Sequence, residues 1–104
     1  MASPIIVDIP HQLGVDEARR RIDRGFGRFA REVGGSLLTQ VSYSWIGDRL
    51  MFSFGAMGQV ISGTVQVRSE LVRVELVLPA VLVFVAKALR GRVEKEGRLL
   101  LGSK

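Results

Sequence analysis

Cysteine is absent from the 104-residue chain, and histidine, tryptophan and tyrosine occur once each. Without a thiol there is no disulfide framework, no thiolate nucleophile and no cysteine-based metal centre. No apolar run approaches the roughly 20 residues that a bilayer-spanning helix needs. The longest such stretch, Leu76 to Leu89, is interrupted by Pro79 and Lys87. The N-terminal MASPIIVDIP has no basic segment and a short apolar run, so it does not read as a secretory signal. A cytoplasmic protein without a transmembrane helix is expected. Acidic residues are the scarcer charge, 10 against 15 Lys and Arg, for a formal charge of +5.

What is present is enough apolar material for one small core. The chain is 47% hydrophobic, which argues against disorder. Residues 1–104 are expected to form one domain. A domain of this size buries roughly 60–70% of its unfolded surface, so room for an enclosed active site is limited. The positive balance suits an anionic partner such as nucleic acid, anionic lipid or an acidic protein. The plainer reading of the same charge is solubility.

The apolar residues change period along the chain. Ile5, Val7 and Ile9 alternate with Ile6 and Asp8 up to Pro10, as in a short edge strand. A helix is expected from about Gly14, with Asp16 and Glu17 at its positive end, to Gly34-Gly35. Its apolar face is Val15, Ala18, Ile22, Phe26, Phe29 and Val33, with Gly25 on the same side permitting a close approach. From Leu37 to Pro79 the period becomes two, with turns at Gly47-Asp48, Gly55 to Gly58 and Arg68-Ser69-Glu70. Pro79 suits the first turn of a last helix whose stripe is Leu82, Ala86, Leu89, Val93, Gly97 and Leu100. Gly91 and Gly97 weaken that helix, and fraying is expected after Gly97. The fold class is α+β: a two-layer sandwich with an antiparallel meander of 4–5 strands and two helices on one face, in the order β-α-β-β-β-β-α.

Residues that carry chemistry are scattered. His11 lies in a loop with no Ser-Asp or Cys partner nearby in sequence, and reads as a loop-packing or capping histidine more readily than as a general base. The carboxylates show no metal-ligand spacing. Glu75 stands out in an apolar strand, where cross-strand pairing with an Arg is the ordinary explanation. Gly55-Ala56-Met57-Gly58 lacks the Lys-Ser/Thr ending of a phosphate-binding loop. Neither a metal nor a cofactor is implied, and no enzymatic activity is expected.

Two surfaces remain as candidate binding sites. At 100° per residue, Arg20, Arg21, Arg24, Arg28 and Arg31 fall on one flank of the first helix. Such a flank can contact phosphates or anionic lipid heads, or stand in solvent. The aromatics Tyr43, Trp45, Phe52 and Phe54 alternate like a sheet core, not like a base-stacking platform, so specific nucleic-acid binding is not expected. The second surface is the start of the last helix. With Leu82 facing the core, Val81 and Val83 lie to its sides and Phe84 points nearly opposite. A helix apolar all round is either covered within the monomer or meets a second copy, a partner or a hydrophobic surface.

Four short patterns occur in order: Pro10-His11-Gln12-Leu13-Gly14 with Glu17-Ala18-Arg19; Trp45-Ile46-Gly47-Asp48-Arg49-Leu50 with Phe52-Ser53; Gly63-Thr64-Val65; and Val74-Glu75-Leu76 with Leu78-Pro79. In this order the chain, from about Pro10 to Leu101, resembles the polyhydroxyalkanoic acid system protein family, small proteins encoded near genes for polyester storage granules. It differs from the family pattern in Gly25 and Gly27 within the first helix and in a Val-rich Ala80 to Ala86. The resemblance implies a cytoplasmic accessory protein without a catalytic motif, with a granule surface or granule protein as its partner. A rival reading at the level of fold alone is a helix-grip domain enclosing a hydrophobic ligand, which requires a cavity. Nucleic-acid or anionic-surface binding through the Arg flank is the third.

Overall fold

The computed structural model describes residues 3–35, 38–56 and 58–101; the side chains of Ser3, Val33, Leu38 and Ala56 are outside that description. The expected places of Val33 in the helix face, and of Leu37 and Met57 in the meander, therefore lie outside the described residues. The elements are β1 (Ser3–Pro10), α1 (Gly14–Gly34), β2 (Leu38–Ile46), β3 (Arg49–Ala56), β4 (Gln59–Val67), β5 (Leu71–Leu78), a 3-10 helix (Ala80–Val85) and α2 (Ala86–Leu101). This is the α+β sandwich that the alternating and helical periods call for.

The five strands lie in the order β1-β5-β4-β3-β2, every neighbouring pair antiparallel. β1 is an edge strand paired within the chain to β5, with Val7 opposite Val74. Because side chains alternate across a strand, this register stacks apolar residues on one face. One such row runs Tyr43, Phe52, Gly63, Leu76, Ile5, and the next runs Trp45, Leu50, Val65, Val74, Val7. Both helices cover this face, and the other face is open.

Gly63 is explained by its row. A Cβ there would collide with the Glu75 carbonyl oxygen and lie 2.7 Å from Phe52 Cζ, so the Phe52 ring occupies the space a side chain would need. Phe26 of α1 is the hub above it, with ring centroids 5.2 Å from Phe52 and 4.8 Å from Tyr43.

Some core assignments shift. On α1, Ala18, Ile22, Phe26 and Ala30 are buried, while Val15 and Phe29 are only partly so. Ala30 takes the central place because the buried stripe of a 3.6-residue helix runs through positions 22, 26 and 30. Tyr43 does not behave as sheet core: it is 43% exposed, since β2 is the outermost strand and α1 reaches only its inner side.

The last helix differs most from expectation. Pro79 (φ −58, ψ 151) precedes the helical turns instead of joining the first, and residues 80–85 wind as a 3-10 helix before α2 begins. The helix is also regular past Gly97, where fraying is expected. It continues to Leu101, which is buried, because the two glycines let elements touch. Gly25 receives the Leu100 side chain and Gly97 receives Ile9, so each lies where a Cβ would clash. The packing of Leu100 and Leu101 outweighs the roughly 1 kcal/mol that a helical glycine costs.

Candidate functional site

The site is best built from the end of β5. At Pro79 the ring and the missing N–H end strand pairing. The Leu82 N–H then bonds the Pro79 carbonyl at 2.9 Å, starting the 3-10 turns. A 3-10 helix has three residues per turn, so residues i and i+3 eclipse. Leu82 is buried and Val85 partly buried on the inner ridge. Val81 and Phe84 therefore share one outer ridge, 59% and 73% exposed, with Val83 beside them at 46%. The expectation of an over-apolar face holds, and no described strand or loop covers Phe84. The 3-10 winding eclipses Val81 and Phe84, which an α-helix would set about 60° apart.

Cationic residues follow this apolar ridge in sequence. Lys87 and Arg90 follow it and are exposed, and no acidic residue occurs between Glu75 and Glu94.

The arginine flank of α1 divides into two parts. Glu17 binds the first part, with Arg21 Nε at 3.0 Å and Arg20 at 3.4 Å. The hydrogen bond from Arg21 holds the Glu17 carboxyl below its ordinary range. Arg21 also donates to the Leu101 carbonyl at 3.4 Å and is half-buried, so it fastens α1 to α2 and is not part of a free edge. Arg24 feels Glu17 only at a distance. Arg24, Arg28 and Arg31 are exposed, and among the described residues none of their side chains makes a hydrogen bond or an ion pair. They form the open cationic edge.

His11 is tied into the fold. It is 7% exposed. Its Nε2 donates to the Arg68 carbonyl at 3.0 Å and its Nδ1 accepts from the Leu13 N–H at 3.1 Å, which fixes the neutral tautomer protonated at Nε2. Its backbone N–H bonds the Glu70 carbonyl. The side chain thus joins the loop before α1 to the β4–β5 turn, and both ring nitrogens are occupied. Glu75 lies on the open sheet face between Thr64 and Ile6. The cross-strand ion pair of that face belongs instead to Asp8 and Arg73, at 2.8 Å, and it lowers the Asp8 carboxyl below its ordinary value. Glu75 adds a smaller attraction to Arg73.

The Trp45 pattern is a clamp as well. Trp45 Nε1 donates to Asp23 at 2.9 Å, Arg19 lies 4.4 Å from the ring centroid, and Arg19 Nε donates to the Gly47 carbonyl. Gly47 has φ +59, which the tight turn requires. The hairpin is thereby held against α1, a set of contacts that sequence spacing alone does not reveal.

Between α1, α2 and the sheet lies a void of about 20 Å³ lined by Ile22, Phe26, Val74, Leu100 and other apolar side chains. Ligand pockets measure about 300–1,000 Å³. This void has no room for a lipid-like molecule, and neither Trp45 nor Glu75 lines it. Among the described residues, no three of His, Asp and Glu gather as a metal site, and no helix is long and apolar enough to cross a membrane.

Fold and surface define a small two-layer α+β protein whose distinguishing features are an outward apolar ridge and a cationic helix edge. The family model described as "putative polyhydroxyalkanoic acid system protein" matches residues 5–101, and the chain belongs to that family. No curated protein and no solved structure matches it. Membership associates the chain with the polyhydroxyalkanoate system.

Proposed function

We propose that the protein is a non-catalytic accessory protein of polyhydroxyalkanoate storage, attached to the granule surface from the cytoplasm by the Val81–Phe84 ridge. The observation that carries this reading is the 73% exposure of Phe84 on a segment anchored by buried Leu82. Moving a phenylalanine side chain from water into an apolar layer yields roughly 1.5–3 kcal/mol. One residue gives weak attachment; Val81, Val83 and the neighbouring cations add to it. The open edge of Arg24, Arg28 and Arg31 then faces anionic head groups or an acidic granule protein.

The test is localisation of a fluorescent fusion in granule-forming cells. The wild type is expected to outline granules, and Val81→Ser/Phe84→Ser to spread through the cytoplasm at equal abundance. Unchanged outlining by the double variant would sink the proposal.

A further inference from the structure

The two edges of the sheet are built differently. β1 carries Pro4 and Pro10, which lack N–H donors, and the paired Asp8. These devices protect an edge from pairing with another chain. β2 is the other edge, and its Leu38–Ile46 contains no charge and no proline. Every residue from Thr39 to Ile46 is exposed except Trp45, which is partly so. In a chain of net charge +5, the strand itself carries no cation to oppose that of a second copy.

The strand is also self-complementary. About Tyr43 it reads Val41-Ser42-Tyr43-Ser44-Trp45: hydroxyls on either side, then apolar residues on either side. A two-fold axis through Tyr43 makes an antiparallel pair of β2 strands. Ser42 then faces the partner copy's Ser44 on the open side, and Val41 faces the partner copy's Trp45 on the helix side. Tyr43, 43% exposed and packed on Phe26 at 4.8 Å, meets its own copy and continues the aromatic row. The register break between Thr39 and Ser42, with Gln40 at φ 50, bends the strand at the Val41 end of this segment.

We infer that the protein forms a closed two-fold dimer by edge-to-edge pairing of β2, joining two sheets into one. The protected β1 edge stops further addition, so the assembly ends at two. This interface is separate from the Phe84 ridge, and either can exist without the other.

Sedimentation mass over a range of concentrations, with circular dichroism to check folding, tests it. The wild type should be a dimer. Ser42→Lys/Ser44→Lys places lysines opposite each other across the axis and should give a folded monomer. Ser42→Lys/Ser44→Glu places opposite charges there and should restore the dimer. Phe84→Asp should remain dimeric. A monomeric wild type overturns the inference, as does a dimer that survives the double lysine variant. A dimer dissolved by Phe84→Asp alone would assign self-association to the ridge and equally overturn it. Retention of granule binding by the monomeric variant distinguishes failure here from failure of the proposed function.

Discussion

Replacing His11 by alanine separates a structural histidine from a reactive one. The side chain makes two hydrogen bonds, to the Arg68 carbonyl and from the Leu13 N–H, in a site that is 7% exposed. Each such bond contributes about 0.5–1.5 kcal/mol net, and a buried group left unpaired costs about 1–3 kcal/mol. The Leu13 N–H lies at the start of α1, where water can reach part of the vacated space, so the upper end of the sum does not apply. A loss of roughly 2–4 kcal/mol is expected, a large share of the roughly 5–15 kcal/mol available to a domain. At about 4–8 °C per kcal/mol, the midpoint of thermal unfolding followed by circular dichroism should fall by roughly 8–32 °C. His11→Gln can keep the donor to Arg68 but not the acceptor for Leu13, so it should fall between alanine and wild type. Unfolding of His11→Ala within about 0.5 kcal/mol of wild type would refute the clamp, since that is the range of an unconstrained surface change.

Two further perturbations follow from named contacts. Gly63→Ala forces a methyl group against Phe52 and the Glu75 carbonyl. Overpacking costs about 1–3 kcal/mol, offset by about 0.4–1 kcal/mol from the stiffer unfolded chain, so urea unfolding should shift toward lower denaturant; no shift would contradict the packing. The Asp8 carboxyl is lowered chiefly by its hydrogen bond from Arg73. Its stabilisation is therefore complete above the ordinary aspartate value and lost as pH falls through the lower folded value. An NMR titration should find the Asp8 midpoint depressed in wild type and raised in Arg73→Met; equal midpoints would remove the pair from the account.

The sheet was readable because alternation is a strong signal where one face is buried. Val72, Val74, Leu76 and Leu78 face the core as their spacing requires. The helix runs on past Gly97, where fraying is expected from propensity, for a tertiary reason: Ile9 and Leu100 fill the spaces that Gly97 and Gly25 leave, and helix propensity knows nothing of such neighbours. Tyr43 failed because alternation reports a face, not how far a helix layer extends over it. The apolar ridge was visible in Val81, Val83 and Phe84, but its shape depended on 3-10 winding after Pro79, which periodicity does not foretell. The roles of His11, Arg19 and Asp23 arise from partners distant in sequence, at Arg68, Gly47 and Trp45, and only the fold brings those together.

Attachment through the Phe84 ridge is read out by co-sedimentation of purified protein with isolated polyhydroxyalkanoate granules. Phe84→Asp is compared with wild type and with Leu99→Asp, which changes an exposed leucine on α2 outside the ridge. Both positions are largely exposed, so both variants should keep stability within about 0.5 kcal/mol of wild type. Wild type and Leu99→Asp should pellet with granules while Phe84→Asp stays in the supernatant. Pelleting of Phe84→Asp equal to wild type would contradict it.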